Sequence, residues 1–218
     1  MKNSLIQLYS QLFDVFGAQY WWPGDTPIEI IVGAILTQNT SWKNVEKAIN
    51  NLKRKSFLSA AKLYELPEEE LAELIRPAGY FRVKTKRLRN FLKFFLNDFN
   101  GNILLMQEKD LLDLRENVLF VNGIGPETAD SILLYALDKP IFVVDAYTKR
   151  ILVRHNLITE DFGYYDIQQF FMDNLPTDVK LFNEYHALLV KCGKDFCKPN
   201  NPRCKECPLN GFNIPAAQ

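Results

Sequence analysis

The stretch Val121-Asn122-Gly123-Ile124-Gly125-Pro126-Glu127-Thr128-Ala129 places two glycines between two segments with helix-forming character. Glycines permit a tight turn and a close approach of the backbone to a ligand, and a helix that starts at Pro126 presents amide groups at its first turn. The stretch therefore predicts a helical hairpin whose turn can hold a phosphate oxygen. A Rossmann turn is excluded, because no strand precedes the glycines and the third glycine is missing. Ordinary turn chemistry is the alternative.

The sequence on both sides of this hairpin indicates helices almost throughout. Proline and acidic residues mark several helix starts, since Pro27 follows a capping Thr26 and Pro67 precedes three glutamates. No linker rich in glycine or serine marks a domain boundary. We expect helices over Pro27 to Leu36, from Ser41, from Pro67, and over Lys84 to Phe99, Leu111 to Phe120, Pro126 to Leu137, Asp145 to His155, Ile167 to Asn174 and Asp178 to Lys191.

The composition of the 218 residues is that of an ordinary globular protein. Its 26 basic and 26 acidic residues cancel, so the net charge gives no argument for a nucleic-acid partner, although local patches are not excluded. No apolar run approaches the ~20 residues of a membrane span, and the start of the chain does not resemble a signal peptide. We expect a cytoplasmic protein.

An aspartate, Asp145, follows the apolar run Ile141 to Val144 at the start of a predicted helix. Most aspartates in this position cap the helix. The functional interpretation is a carboxylate that stays ionised beside a reacting group, where it stabilises a cationic transition state or activates water.

All four cysteines lie in the last 27 residues, with the spacing C-x4-C-x6-C-x2-C. Prolines and basic residues flank them, which is typical of a loop rather than a core. Disulfides are disfavoured in a reducing compartment. The pattern therefore predicts a thiolate-ligated iron–sulfur or zinc site formed by Cys192, Cys197, Cys204 and Cys207.

Together, the hairpin, Asp145 and the ending Cys197-x6-Cys204-x2-Cys207-Pro208-Leu209 resemble the helix-hairpin-helix (HhH-GPD) DNA glycosylases of the endonuclease III branch. The resemblance runs from about Trp21 to Leu209. It implies an all-α fold of two helical lobes with a DNA-binding cleft. The lobes would comprise residues 23–130, ending in the hairpin, and residues 1–22 with 131–218, which include the cysteine-cluster loop.

The same resemblance implies roles for individual residues. The hairpin residues Gly123, Gly125 and Thr128 would bind DNA phosphates, Asp145 would be the catalytic carboxylate, and the cysteines would hold a four-iron four-sulfur (4Fe-4S) cluster. Gln38, within Leu36-Thr37-Gln38-Asn39-Thr40, is similar to the family glutamine that enters the duplex where the damaged base has left.

Two departures from the family pattern alter these expectations. Bifunctional members have a lysine two residues after the second hairpin glycine, and Glu127 occupies this position. A carboxylate cannot form a Schiff base, so we expect a monofunctional enzyme that uses water and leaves an abasic site. The family's fourth cysteine position is Asn213, and Cys192 is the expected replacement ligand, with zinc as the alternative metal.

The substrate expectation depends on two further segments of the sequence. Tyr20-Trp21-Trp22-Pro23 and Arg76-Pro77-Ala78-Gly79-Tyr80-Phe81 are similar to segments of the 3-methyladenine glycosylases of this branch. Alkylated purines carry a positive charge and a weakened glycosidic bond, so an aromatic pocket at Trp21 and Trp22 could select them by stacking and cation–π attraction. The alternative is that both tryptophans only join the lobes.

Charged residues also favour a DNA partner, because seven basic residues and no acidic one lie between Arg76 and Lys93. With the resemblance, this indicates a nucleoid-associated monomer that acts on double-stranded DNA in base excision repair. The alternatives are a mismatch or oxidised-base glycosylase/AP lyase of the same fold, a non-catalytic helix-hairpin-helix DNA-binding protein, and a small iron–sulfur redox protein.

Overall fold

The computed structural model describes residues 2–212, which form two compact units. One unit is continuous and spans Trp22–Lys139. The other is assembled from both ends of the chain, Met1–Trp21 and Pro140–Gln218, of which residues 2–21 and 140–212 are described. The internal boundary therefore lies after residue 139, whereas the sequence places it after residue 130.

All regular structure within residues 2–212 is helical, which confirms the predicted all-α class. Two short 3-10 helices, Arg76–Ala78 and Cys204–Glu206, and a π-helical stretch, Ile132–Ala136, supplement the α-helices. The α-helices of the described chain are α1 Lys2–Phe16, α2 Pro27–Leu36, α3 Trp42–Arg54, α4 Ala60–Glu65, α5 Glu68–Ile75, α6 Phe81–Phe99, α7 Ile103–Gln107, α8 Leu111–Phe120, α9 Pro126–Ser131, α10 Ala146–Arg154, α11 Tyr164–Asn174 and α12 Val179–Asp195.

Helix α2 begins where its capping residues predict. The Thr26 hydroxyl accepts a hydrogen bond from the Glu29 amide, and Pro27 occupies the first helical position. The Glu29 carboxylate accepts a hydrogen bond from the amide of Asp25 at 3.1 Å. The helix is buried on nearly all sides, because its sequence PIEIIVGAIL has a single charged residue. It is the central element of the Trp22–Lys139 unit.

A buried ion pair joins the two helices of the hairpin. The Arg115 guanidinium on α8 donates to both carboxylate oxygens of Asp130 on α9, at 2.7 and 3.0 Å. The Asp130 side chain is fully buried and that of Arg115 is 15% exposed. The two parallel hydrogen bonds fix the angle between α8 and α9 and therefore the shape of the turn between them.

The second unit is built around a cluster of aromatic rings. Phe142 lies parallel to Phe171 at a centroid distance of 3.8 Å, and Phe182 and Tyr185 meet its ring edge-on. The buried Gln168 amide donates to the Phe142 carbonyl at 2.7 Å. These contacts hold the extended segment 141–144, which leads directly to the start of α10.

Several elements differ from the expectation. Helices α1, α4 and α7 are not anticipated, and α6 begins three residues before Lys84. The predicted continuous helix Pro126 to Leu137 changes at residue 132 into the π-helical stretch, all of whose residues are buried. No helix of the described chain is long and apolar enough to cross a membrane.

We predict that Asp130→Asn destabilises the protein by about 3 kcal/mol, because it removes the negative charge that faces the Arg115 guanidinium in a buried ion pair. Urea unfolding followed by circular dichroism measures this change. The matched control is Glu69→Gln, which removes the carboxylate of the exposed Arg82–Glu69 pair and should cost less than about 1 kcal/mol. Equal losses for the two variants would contradict a structural role for the buried pair.

Candidate functional site

The hairpin turn has room for backbone but not for a side chain at Gly123. This residue has φ +93°, a left-handed conformation, and a Cβ there would overlap the Arg87 side chain. The Ile124 amide closes the turn by donating to the Val121 carbonyl at 3.0 Å. The glycine is therefore required both by the turn and by the close approach of α6.

Gly125 has a different role. Its φ of −94° and ψ of 176° are extended backbone that any residue can adopt, and a Cβ there would meet no atom within 4 Å. The residue is exposed and caps α9 without a side chain. The first turn of α9 is thus reachable from solvent at the end of the helix that favours an anion.

Gln38 is held against the hairpin. Its Nε2 donates to the Gly123 carbonyl at 3.2 Å and to the Thr128 hydroxyl at 3.0 Å, and its Oε1 accepts from Arg87. The predicted DNA-binding residues Gln38, Gly123 and Thr128 therefore form one network with Arg87. To enter a duplex, Gln38 has to exchange these bonds for contacts with DNA.

Glu127 lies exposed in the first turn of α9, where a carboxylate interacts favourably with the helix dipole. The lysines nearest in sequence to the hairpin and to Asp145 are each bound to backbone carbonyls. Lys139 Nζ donates to the carbonyls of Gln107 and Lys109, both at 2.6 Å. Lys149 Nζ donates to the Phe162 carbonyl at 2.7 Å.

Asp145 caps α10, as its sequence position predicts. Its Oδ1 accepts from the Thr148 amide at 2.7 Å, and its Oδ2 lies 3.7 Å from Nε2 of His186 on α12. Burial raises the pKa of this carboxyl group, but the contacts with His186 and Thr148 outweigh burial and hold the pKa below its ordinary value. The carboxylate is therefore charged at neutral pH although only 11% of its side chain is exposed.

A glycine brings His186 to this carboxylate. Gly193 lies on the same helix as His186, and a Cβ there would be 2.5 Å from Cδ1 of Tyr147 on α10. Without a side chain at Gly193, α12 can pack closely on α10. Sequence patterns do not single out His186, since nothing adjacent to it in the chain signals that it contacts Asp145.

The two tryptophans predicted as a base pocket have different environments. Trp21 ends the first segment of the unit that is assembled from both ends of the chain, whereas Trp22 begins the Trp22–Lys139 unit. The Trp22 ring lies 5.3 Å from that of Trp42 and 5.2 Å from that of Tyr135. Trp22 and Trp42 are half-buried. The predicted pocket does not include Trp42, because nothing adjacent to it in the chain signals its contact with Trp22.

The cysteines are placed unequally. Cys192 and Cys197 are buried, Cys207 is half-buried and Cys204 is exposed. Sγ of Cys192 lies 3.7 Å from Sγ of Cys207. Their contact lowers the pKa of Cys207 to about 7 and, with burial, raises that of Cys192. The family's fourth cysteine position, Asn213, lies outside the described residues.

Two arginines of α10 hold the loop that contains Cys197. Arg154 Nη1 donates to Cys197 Sγ at 3.2 Å, and Arg150 Nε donates to the Cys197 carbonyl at 2.6 Å. Within residues 2–212, no three His, Cys, Asp or Glu side chains are gathered to hold a metal ion. The thiols are of the chemical type that binds a thiolate-ligated cluster, but the described residues do not gather them as its ligands.

Not all of the basic side chains on α6 are free to contact a phosphate, as the sequence alone would suggest. Lys84 is 1% exposed, and its Nζ donates to the carbonyls of Leu36 at 2.9 Å and Ala78 at 2.8 Å. Burial lowers its pKa to about 8. Arg82 pairs with Glu69. The expectation that Lys84 contributes to a positive surface is therefore wrong, because two helix-end carbonyls draw its amine into the core.

The hairpin and Asp145 both lie within the region that matches a known family. Residues 32–177 match the model of the HhH-GPD superfamily of base excision DNA repair proteins. A protein of Methanocaldococcus jannaschii, named provisionally as a DNA repair glycosylase, is 49% identical over 95% of this chain and 94% of its own length. Endonuclease III of Thermotoga maritima is 27% identical over 84% of this chain and 80% of its own.

Solved structures give the same fold. The H. pylori 3-methyladenine DNA glycosylase bound to 1,N6-ethenoadenine has a TM-score of 0.75 and 29% identity, covering 88% of this chain and 97% of its own. A non-covalent endonuclease III–DNA complex has a TM-score of 0.83 at 21% identity, covering 98% and 95%. The chain belongs to the HhH-GPD superfamily of base excision DNA repair proteins and is a DNA glycosylase of its endonuclease III branch.

Proposed function

We propose that this DNA glycosylase is monofunctional: it hydrolyses the N-glycosidic bond of a damaged base in duplex DNA and leaves the strand intact. The observation that carries the proposal is the placement of Glu127. It occupies the position of the family's Schiff-base lysine, at the exposed start of α9, and a carboxylate cannot form an imine with the sugar. Water is then the attacking group.

The lysine contacts support this proposal. Lys139 and Lys149 are the lysines nearest in sequence to the hairpin and to Asp145, and the ammonium group of each is bound to backbone carbonyls. A Schiff base needs a neutral amine that is free to reach the sugar. Lys84 has the lowered pKa that such an amine requires, but it is buried and also bound to two carbonyls.

In this proposal Asp145 is the catalytic carboxylate. As the base leaves, positive charge develops on the sugar, and a negative group already fixed in place stabilises it without reorganisation. The Thr148 amide and His186 supply that fixation, and they also keep the group ionised. The helix cap and the catalytic role are thus compatible, because each uses the same charged form.

We propose an alkylated purine as the substrate. Trp22, Trp42 and Tyr135 form an aromatic cluster in which two rings are half-buried, which suits stacking on a cationic base. The H. pylori relative, whose name is that of a 3-methyladenine glycosylase and whose structure holds an ethenoadenine, favours the same class. A role for Trp21 in the pocket, as expected from the sequence, stays part of the proposal.

DNA binding is proposed for the hairpin. The open space around Gly125 allows a phosphate to approach the first turn of α9, with Gln38 and Thr128 close by.

For the cysteine segment we propose a 4Fe-4S cluster, with zinc as the alternative. Such a cluster, when bound, would order the loop around Cys197, Cys204 and Cys207 and supply no step of the hydrolysis.

We predict that Gly125→Asp lowers duplex affinity roughly tenfold, irrespective of sequence, because its carboxylate faces the phosphate that the α9 amides bind. Folding should be unchanged, since the backbone at this position is extended and aspartate is a good capping residue. The control is Gly125→Asn, which has the same shape without the charge and should bind more tightly than Gly125→Asp. Fluorescence anisotropy at fixed salt measures both, and unaltered binding by Gly125→Asp would show that the hairpin is only structural.

The substrate proposal is tested by base release from alkylated, oxidised, mismatched and uracil-containing duplexes, read as excised product. We predict release of alkylated purines.

Asp145→Asn should retain the cap and DNA binding but slow single-turnover excision by a factor on the order of 10²–10³, because the amide lacks the charge. Preferential release of an oxidised or mismatched base would replace the substrate proposal, and an Asp145→Asn rate equal to that of the unaltered enzyme would refute the carboxylate's role.

The monofunctional reaction is tested on the same duplexes. Excision should leave intact strands that break only after added alkali, and borohydride present during the reaction should trap no protein–DNA adduct. Glu127→Lys is an informative companion, because it restores the family's amine in an exposed position and could yield a trapped adduct. Efficient trapping by the unaltered enzyme, abolished by changing one lysine, would overturn the proposal.

A further inference from the structure

Helix α6 follows the hairpin turn closely and places an arginine beside it. The stem of Arg87 fills the space where a Gly123 side chain would lie. About one helical turn further along α6, the Asn90 side-chain amide donates to the Asn122 carbonyl at 3.0 Å. Residues three apart share a face of a helix, so this face of α6 lies along the turn. The guanidinium of Arg87 is therefore held at the part of the hairpin that we propose to bind DNA.

The hydrogen-bond partner of this guanidinium is neutral. Arg87 donates from Nη1 to Oε1 of Gln38. The Nε2 of Gln38 donates in turn to the Gly123 carbonyl at 3.2 Å and to the Thr128 hydroxyl at 3.0 Å. The ion pairs among the described residues do not include Arg87. A carboxamide oxygen occupies one donor of an arginine and leaves its charge uncompensated.

A second positive charge lies close to Arg87. The Lys84 ammonium, on the preceding turn of α6, is buried and bound to the Leu36 and Ala78 carbonyls. Its pKa is lowered to about 8, first by burial and further by the charge of Arg87. The two cations therefore repel each other, and neither has a neutralising partner. An anion that binds Arg87 relieves this repulsion.

We propose that Arg87 is a phosphate-binding residue that Gln38 covers in the protein without DNA. A phosphate of the duplex replaces Oε1 of Gln38 on the guanidinium, because a charge-assisted contact through two donors is stronger than one hydrogen bond to a neutral amide. Gln38 then keeps only its neutral bonds to the hairpin. Binding of the DNA backbone thus loosens the side chain that is expected to enter the duplex. The inference rests on the proposed binding of DNA at the hairpin.

The alternative is that Arg87 only orients the Gln38 carboxamide. The two roles differ in how binding depends on salt. A side chain that contacts a phosphate displaces condensed counterions, so its loss reduces the slope of log Kd against log salt concentration by about one. A side chain that acts only on Gln38 displaces no counterion, and its loss weakens binding at an unchanged slope.

The test measures the affinity of the whole chain for a short undamaged duplex by fluorescence anisotropy over a series of salt concentrations. This duplex has no damaged base to release, so the result does not depend on excision. The variants are Arg87→Met, which keeps the stem beside Gly123 but not the guanidinium, Gln38→Met, and the double variant. Circular dichroism verifies that each variant is folded.

Arg89→Met is the matched control, because it removes the same charge from the same helix. Arg89 donates to the Leu66 carbonyl at 2.8 Å, and its guanidinium lies 5.2 Å from the centre of the Tyr64 ring. Residues two apart do not share a face of a helix, so Arg89 does not lie along the hairpin turn. This variant should match the unaltered protein in affinity and in slope.

We expect Arg87→Met to weaken binding roughly three- to tenfold at low salt and to reduce the salt slope by about one. Gln38→Met should bind the undamaged duplex more tightly at the slope of the unaltered protein, because the guanidinium no longer has to be uncovered. In the Arg87→Met background, Gln38→Met should add nothing, because both residues act through one contact.

Three results would overturn the inference. Unchanged binding by Arg87→Met, or weakened binding at an unchanged slope, would leave Arg87 no contact with phosphate. Weaker binding by Gln38→Met would show that Gln38 does not cover Arg87, and this comparison decides the question even if Arg87→Met fails to fold. Slopes reduced equally by Arg87→Met and Arg89→Met would reveal only a general effect of charge. An unaltered protein that does not bind the duplex would instead refute the proposed function of the hairpin itself.

Discussion

The approach of α6 to the hairpin backbone is the constraint on which the DNA-binding part of the structure depends. Arg87 occupies the space where a Gly123 side chain would lie, and from there its guanidinium reaches Gln38. Gln38 in turn bonds the Gly123 carbonyl and Thr128. One missing side chain therefore lets three segments distant in sequence meet, and the buried Arg115–Asp130 pair keeps the two hairpin helices in position behind them.

The site of Asp145 depends on apolar packing for the position of its carboxylate and on polar contacts for its negative charge. Aromatic stacking on Phe142 fixes the extended segment that precedes Asp145, and the start of α10 supplies an amide to one carboxylate oxygen. The close packing at Gly193 brings α12, and with it His186, towards the other oxygen. Apolar burial thus sets the position of the carboxylate, while polar contacts offset the cost of keeping it charged.

Features with local causes are predictable from the sequence, and features with distant causes are not. The start of α2 follows from a capping threonine and a proline, and that of α8 from the capping Asp110, and both lie where expected. The inward turn of Lys84 and the grouping of Trp42 with Trp22 depend on partners far along the chain. The family and the fold are predicted correctly because several separated motifs support them together. No single motif would be sufficient.

The buried amine of Lys84 also makes the free energy of unfolding depend on pH in basic solution. Burial lowers its pKa to about 8, whereas an unperturbed lysine has a pKa of 10.5. Between these values the unfolded chain binds more protons than the folded one, so this group makes the folded state more stable as the pH rises from about 8 towards 10.5. Below pH 8 the same group is charged in both states and carries its full desolvation cost. The cost of burying this amine, which joins the ends of two helical segments, thus falls through basic solution and is smallest above about pH 10.5.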